Sequence, residues 1–412
     1  MNSLNISFSS IMKLMLFVAF SFGSVLYFYG DLDNPKIPVF LPLIKDFLWI
    51  FFGGLILLSS LKSKIDSDLI LVISVFAYLS IIILSKMILF SENNFIQYLI
   101  VIKNFFVYLI FGILLFGIFV KRLSTEELMN NLHAILLLTI TFSLFLHFFY
   151  PVSSVSGRLW GTFGSPNGAG FIISSTVLFS YILFTREIMG VKKLLLTIFV
   201  CVPALLLTAS LNSIFSVILF IFSFHFFNFI AKRKISLKKT LFYIFSIILI
   251  FVISSFSISK ILELSEIYLR IISILGQGAL NDAVSVRLLD FWKVVNMQCE
   301  TNTYFSHAIG CNDSNYLRMD STFLTFAYNL GWVNSILFLF SIYLPIVFFL
   351  FNKNKKLNGD FMPFIIFYFT VVPINLIFQH SFELFPSSII YAAVIVLTLE
   401  ELKRNQSIIY EN

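Results

Sequence analysis

Residues 213–231 read SIFSVILFIFSFHFFNFIA, a run of 19 residues without a lysine, arginine, aspartate or glutamate. A helix of about 20 apolar residues is as long as the hydrocarbon core of a bilayer is thick. The next eight residues, KRKISLKK at 232–239, contain five basic side chains. An apolar run that is followed by a basic cluster is typical of a transmembrane helix that ends at the cytoplasmic surface.

Composition extends this interpretation to all 412 residues of the chain. The hydrophobic share is 59%, and the charged share of 12% is about half that of a soluble protein. One soluble core cannot bury so much apolar surface, so a soluble enzyme, a disordered chain and a disulfide-rich secreted module are excluded. The sequence therefore predicts an all-α, polytopic membrane helical bundle.

Twelve apolar runs set the size of this bundle. They lie near 11–29, 39–60, 69–90, 95–120, 132–150, 167–185, 194–210, 213–231, 240–258, 322–351, 362–379 and 384–400. At roughly 20 residues a span, they predict about twelve transmembrane helices in a single integral membrane domain, 1–412.

The basic residues orient these spans. Of the 28 lysines and arginines, 18 fall in alternate short loops or tails, such as 121–122, 232–239 and 353–356. The positive-inside rule makes that side cytoplasmic and needs no nucleic acid to explain the net charge of +7. Both termini are then cytoplasmic, which requires an even number of spans. The opposite side receives the loop 151–166 and one large outer loop, 259–321.

The large outer loop is a candidate functional region, because loops of this length more often have a function than serve only as connections. Its positive charges are Lys260, Arg270, Arg287, Lys293 and Arg318. Residues 285–295, SVRLLDFWKVV, predict a short amphipathic helix on which Arg287 and Asp290 share a face. Arg287 is either a ligand for an anion or one half of a simple helix ion pair.

Arg158 lies in the other outer loop, within SGRLWGTFGSPNG at 156–168. Arginine donates two parallel hydrogen bonds to phosphate, and a helix predicted to begin near Asn167 adds the partial positive charge of its N-terminus. An anion site is one interpretation of Arg158. The other is an interfacial anchor whose guanidinium reaches the lipid headgroups.

Two further pairs lie in the large outer loop or at its end. Cys299 and Cys311 share an oxidising compartment, which predicts a disulfide between them. Asp320 and Ser321 stand where the loop re-enters the membrane. Asp320 either caps the helix that follows or accepts a proton from a sugar hydroxyl.

The clearest ionisable residue inside a span is Lys103, and the adjacent Lys45 and Asp46 are a candidate interfacial pair. Such charges are costly in lipid, and a structural or a functional role is open for each. Cys201 is predicted to be an inert core residue. Nucleotide-binding, zinc-protease and nucleophile-elbow motifs are absent and the five histidines are scattered, so neither a cofactor nor a metal site is expected.

Three features resemble the O-antigen ligase/polymerase superfamily. Arg158 with Gly161-Thr162-Phe163 and Pro166-Asn167 is similar to that family's Arg–Gly–Thr–Phe–x–x–Pro–Asn signature. The end of the large outer loop, Asp320-Ser321-Thr322-Phe323-Leu324 followed by Gly331, is similar as well. The third likeness is the layout of about twelve spans with one large outer loop late in the chain.

The resemblance implies an inverting, metal-independent glycosyltransferase that uses a lipid-pyrophosphate sugar donor at the outer, periplasmic face of the bacterial inner membrane. In the ligase branch a His-Asn pair opens the returning helix. Asp320-Ser321 stands there in this chain, which favours the polymerase branch. The implied partners are an undecaprenyl-pyrophosphate-linked oligosaccharide and membrane lipid, with a chain-length regulator and a flippase as protein partners.

The resemblance also implies roles for individual residues. Arg158 and Arg287 bind the diphosphate and Asp320 is the base. The wider substrate-binding set adds Asn167, Arg270, Arg318 and Ser321. The alternatives are an O-antigen ligase that transfers polysaccharide to lipid A-core and a polysaccharide flippase or other transporter.

Overall fold

The computed structural model describes most of the helical core. The described residues are 8–21, 30–31, 34–35, 40–60, 66–90, 99, 101–149, 154–155, 158–159, 162–163, 165–208, 210–230, 241–250, 288–296, 310–311, 319, 321–351, 363–378 and 386–410. Helices dominate them, which confirms the all-α class predicted from composition.

The described residues of the first half of the chain form six helices and one π-helical stretch. In chain order they are α1 (Phe8–Ser21), α2 (Phe40–Ser59), α3 (Ser67–Phe90), the π-helical stretch Asn104–Ile110, α4 (Phe111–Arg122), α5 (Thr125–Phe149) and α6 (Pro166–Thr185). Two antiparallel pairs of two-residue strands lie between them, β1 (Gly30–Asp31) with β2 (Asn34–Pro35) and β3 (Ser154–Val155) with β4 (Arg158–Leu159).

The described part of the second half adds eight helices. They are α7 (Val191–Thr208), α8 (Leu211–Ile230), α9 (Leu241–Ile250), α10 (288–295), α11 (Thr322–Leu330), α12 (Trp332–Phe351), α13 (Pro363–Phe378) and α14 (Ser387–Tyr410).

Helix α6 occupies the centre of the bundle. It packs against α5, α7, α8 and α14, and 94% of its apolar segment is buried, compared with 33% of that of α3. Large apolar side chains on the outer helices face away from the core, such as Phe199 and Phe222, which are 65% and 66% exposed. A bundle with an apolar outer surface is suited to lipid rather than to water.

Five helices are long and apolar enough to cross a membrane among the residues that the structure describes. They are Ser67–Lys86, Val101–Arg122, Thr125–Phe149, Pro166–Thr185 and Val191–Thr208. Shorter apolar helices occur at Ser9–Ser21, Asn212–Asn228, Leu241–Ile250, Trp332–Leu344 and Pro363–Ile377. The chain therefore has the helices of a membrane protein.

Two apolar runs differ from the uninterrupted helices expected of them. The run 322–351 is two helices, because Gly331 ends α11 with a φ of 87° and α12 starts at the next residue. The run 95–120 contains the π-helical stretch before α4. Hydropathy predicts neither the helix end at Gly331 nor the π-helical stretch, since the side chains on both sides of each are mostly apolar.

The helix ends form two groups. Helices α6, α8, α11 and α14 begin near one another at the place where α7 and α13 end, and we call it the Arg158 end. The opposite end, which we call the Asp66 end, is closed by ion pairs from Asp66 to Lys121 and Lys403 and from Arg186 to Glu401.

Candidate functional site

Arg158 is held by two elements at the Arg158 end. Its backbone pairs with Val155 in the short β3–β4 hairpin. Its Nε donates to the carbonyl of Thr208, the last residue of α7, at 2.8 Å, and its Nη2 lies 3.4 Å from Asn167 Oδ1. The half-buried guanidinium is thus fixed against the protein, and it contacts a second residue of the predicted site.

Helix α6 begins beside this guanidinium. Ser165 is the N-cap, and its Oγ accepts a hydrogen bond from the Gly168 amide at 2.9 Å. Pro166 occupies the first turn, where its missing N–H is no loss. The start predicted near Asn167 is therefore confirmed to within one residue, and the N-terminal partial positive charge of α6 lies next to Arg158.

Small residues allow three helices to meet at this point. A Cβ on Gly170 would lie 2.5 Å from Ser213 Oγ and 2.7 Å from Ser210 Cβ, both near the start of α8. A Cβ on Gly168 would lie 3.6 Å from Ser387 Oγ, at the first residue of α14. Close packing through glycine and serine is typical of helices in a membrane.

Three buried polar atoms at this end have no hydrogen-bond partner within the part of the chain that the structure describes. They are Ser387 Oγ, Ser388 Oγ and Asn375 Oδ1, on side chains that are at most 1% exposed. The Asn375 amide donates to the Val371 carbonyl at 2.8 Å and points at Ser216 Oγ at 3.5 Å. An unsatisfied polar atom inside a membrane protein is costly, so these atoms are suited to bind hydroxyl groups of a ligand.

Ser321 connects the end of the large outer loop to the same region. Its Oγ accepts from the Leu324 amide at 3.2 Å as the N-cap of α11, and it donates to the carbonyl of Leu376 in α13 at 3.2 Å. Leu376 is the neighbour of Asn375, so Ser321 and the unpartnered amide oxygen lie at the same end of α13. Ser321 supplies the N-cap of α11, and the interpretation of Asp320 as that cap is wrong.

Several predicted residues lie outside the described residues. They are Arg270, Arg287, Cys299, Arg318 and Asp320. Their predicted roles stay predictions from the sequence.

The structure describes two of the three cysteines and most of the predicted amphipathic helix. Cys311 is buried and disulfide-bonded, whereas Cys201 is a buried free thiol, as predicted. The pairing of Cys299 with Cys311 stays a prediction. Helix α10 occupies 288–295, within the stretch predicted to be helical, and Lys293 Nζ lies 5.3 Å from the Tyr328 ring centre of α11.

Lys103, Lys45 and Asp46 form one cluster. Lys103 Nζ lies 3.0 Å and Lys45 Nζ 3.7 Å from Asp46, and Tyr108 Oη also donates to that carboxylate. Trp49, one turn after Asp46, donates to the Val107 carbonyl within the π-helical stretch at 2.7 Å. The sequence indicated the Lys45–Asp46 pair but not Lys103 as a partner, because 57 residues separate Lys103 from Asp46.

Lys86 is the residue that sequence reasoning missed. It is buried near the end of α3, and its Nζ donates to the backbone carbonyls of Cys311 at 3.1 Å and Asn329 at 2.5 Å. A lysine in the last turns of an apolar run is usually an interfacial anchor. The sequence signal for Lys86 was that a charged residue interrupts the otherwise apolar run 69–90.

Comparison with known proteins finds no matching family model, no matching curated protein and no matching solved structure. Among the described residues, no group of three or more His, Cys, Asp or Glu side chains is placed to hold a metal ion.

Proposed function

We propose that this protein is a polysaccharide polymerase that joins undecaprenyl-pyrophosphate-linked oligosaccharide units at the periplasmic face of the bacterial inner membrane. One observation carries the proposal. Arg158, the N-termini of α6, α8 and α14, and the unpartnered atoms of Ser387, Ser388 and Asn375 lie at one end of a helical bundle with an apolar outer surface.

This arrangement offers a binding group for each part of a lipid-linked sugar diphosphate: the diphosphate, the sugar and the lipid tail. Helix N-termini and a fixed guanidinium attract an anion. Buried hydroxyl and amide groups pair with sugar hydroxyls, and the apolar outer helices accept a polyprenyl tail. The resemblance of the Arg158 and Asp320–Gly331 segments to the O-antigen ligase/polymerase superfamily supports the same substrate class.

The proposed reaction is an inverting glycosyl transfer. An acceptor hydroxyl loses its proton to Asp320 and attacks the anomeric carbon of the donor sugar, while the bond from that carbon to the diphosphate oxygen breaks. Arg158 and Arg287 stabilise the charge that develops on the departing lipid diphosphate, where electrostatic help has most effect. The diphosphate bond supplies the driving force, so the proposal needs no cofactor.

The proposed topology has twelve spans, cytoplasmic termini, and the loop 259–321 on the periplasmic side. It rests on the 18 basic residues of the alternate loops. The ligase reaction uses the same donor chemistry with lipid A-core as acceptor, and the Asp320-Ser321 pair favours the polymerase over it.

A flippase is the second candidate function, and the break at Gly331 favours it. Discontinuous helices line the substrate sites of many transporters near the bilayer midplane. The unpartnered polar atoms instead lie near helix termini at the Arg158 end, which favours chemistry at one membrane face.

Lipopolysaccharide from a deletion strain tests the proposal. A lipid A-core that carries a single repeat unit is the result expected for a lost polymerase. A core without any repeat would contradict the proposal and indicate a ligase or a flippase. Restoration of long chains by the plasmid-borne gene, but not by a variant with Arg158→Ala, is the control that connects the phenotype to the site.

A further inference from the structure

The C-terminal end of α11 has its backbone carbonyls satisfied by four different parts of the protein. The last four carbonyls of a helix lack partners within the helix. In α11 the Ala327 carbonyl accepts from the Gly331 amide at 3.1 Å, and that of Tyr328 from the Cys311 amide at 2.7 Å. The other two partners are side chains.

Those side chains come from two neighbouring helices. The Asn329 carbonyl accepts from Lys86 Nζ of α3 at 2.5 Å, and the Leu330 carbonyl from Asn334 Nδ2 of α12 at 2.7 Å. Lys86 also donates to the Cys311 carbonyl at 3.1 Å. One ammonium group therefore joins α3, the end of α11 and the returning outer loop.

The fit around this ammonium is close. Lys86 is 6% exposed and Asn329 is 2% exposed. Gly310 has a φ of 83°, and a Cβ on it would lie 2.4 Å from the Asn329 carbonyl carbon. Residues 310–311 thus lie directly on the backbone of the last turn of α11, and only glycine fits at the first of them.

The other end of α11 belongs to the candidate site. Nine residues at 1.5 Å each make a rod of about 13 Å, so a displacement of its C-terminus moves Ser321 at its N-terminus. Ser321 bonds to Leu376, beside the unpartnered Asn375 oxygen.

We propose that Lys86 is a positioning residue that fixes α11, and through it the Ser321 end of the site, although it contacts no substrate itself. This inference rests on the proposed function only for its catalytic consequence. A cation is favoured at a helix C-terminus because it compensates the partial negative charge there. In a membrane interior, loss of the ammonium leaves the Asn329 carbonyl without this donor.

The first test does not depend on the reaction. Thr322, the first residue of α11, is fully buried, so a Thr322→Cys probe in a Cys201→Ala background reports exposure of this end to a membrane-impermeant maleimide. Lys86→Met loses both charge-assisted hydrogen bonds of Lys86 and should raise the labelling rate about tenfold or more, since even one such bond contributes that much. Lys86→Arg keeps the charge on a larger, planar group, so its labelling rate should lie between those of the parent and Lys86→Met. The exposed control Lys192→Met should stay within about twofold of the parent.

An unchanged labelling rate in Lys86→Met would overturn the inference. If that variant fails to reach the membrane, Lys86→Gln provides the same test, because its amide keeps N–H donors without the charge. An intermediate labelling rate is expected for it, and a parental rate would again overturn the inference.

The second test measures transfer with the native threonine and cysteine in place. Lys86→Met should lower kcat about tenfold with KM for the lipid-linked repeat within about twofold, and Lys86→Arg should restore part of kcat. Loss of folded protein alone, with unchanged turnover per folded molecule, would overturn the positioning role. Absence of polymerisation by the wild-type protein would refute the proposed function and leave the labelling result to decide the inference.

Discussion

Arg158 Nη2 lies 3.4 Å from the side-chain oxygen of Asn167, and the Nε of the same guanidinium donates to the carbonyl that ends α7. Two residues nine positions apart in the sequence therefore form one unit at the start of α6. The contact with the Thr208 carbonyl fixes the arginine, and the contact with the Asn167 side chain orients the guanidinium toward the N-terminus of α6.

Coupling between these residues is the first prediction. Arg158→Ala should abolish chain polymerisation at normal membrane levels, and Arg158→Lys should restore only part of it, because lysine keeps the charge but loses the paired donors. Asn167→Ala should have little further effect once Arg158 is gone, since contacting residues act non-additively. Long-chain lipopolysaccharide at matched expression measures this. Arg122→Ala at the Asp66 end is the control, and normal chains from Arg158→Ala would refute the anion-binding role.

Substitutions at Asp320 and Ser321 should affect different properties, polymerisation for Asp320 and protein stability for Ser321. Ser321→Ala removes the N-cap of α11 and should lower stability by about 1 kcal/mol. Asp320→Asn leaves that cap intact, so it should keep the melting temperature while losing polymerisation. Thermal unfolding in detergent and chain length are measured on the same preparations. Full-length chains from Asp320→Asn would exclude it as the base.

The unpartnered hydroxyls predict an unusual combination of effects. Ser387→Ala and Ser388→Ala remove no hydrogen bond of the described protein, so the melting temperature should not fall. Each should raise KM for the lipid-linked repeat about three- to tenfold, the value of one hydrogen bond to a ligand. Ser175→Ala is the matched control, because its buried Oγ is bonded to the Phe171 carbonyl. Unchanged KM in both variants would contradict a ligand-binding role.

Gly170 and Gly54 should respond in opposite directions to alanine. At Gly170 the new Cβ would lie 2.5 Å from Ser213 Oγ, so overpacking should cost about 1–3 kcal/mol. At Gly54 nothing lies within 4 Å, and alanine is the better helix former by about 1 kcal/mol. Melting temperatures in detergent compare the two. An equal response at both positions would refute the close α6–α8 contact.

Asp66 predicts a pH dependence at the opposite end. Burial alone would raise the pKa of Asp66, but the hydrogen bonds and charges of Lys403 and Lys121 outweigh it and hold the pKa below the ordinary 3.8. A depressed pKa contributes stability above pH 3.8 that is lost as the pH falls through the folded value. The carboxylate is partly exposed, so this contribution is at most about 1 kcal/mol. Asp66→Asn should lower the melting temperature by about 2 °C at pH 7 and by less near pH 3, and an equal loss at both pH values would contradict the ion-pair explanation.

Sequence alone determined the features that depend on neighbouring residues. Apolar runs predicted the helical class, because a hydrophobic run and its flanking charges are local properties. The 156–168 segment likewise predicted the start of α6 and the position of Arg158, since the N-cap, the proline and the arginine follow one another within ten residues.

Tertiary structure alone decided which distant groups meet. The apolar run 322–351 gave no sign of the break at Gly331, because hydropathy averages side chains and ignores a backbone φ. Lys86 and Asn329 are 243 residues apart, and Asp46 and Lys103 are 57 apart. Each of these pairs exists because helix packing removes water from a charged group, which must then find its partner on another helix.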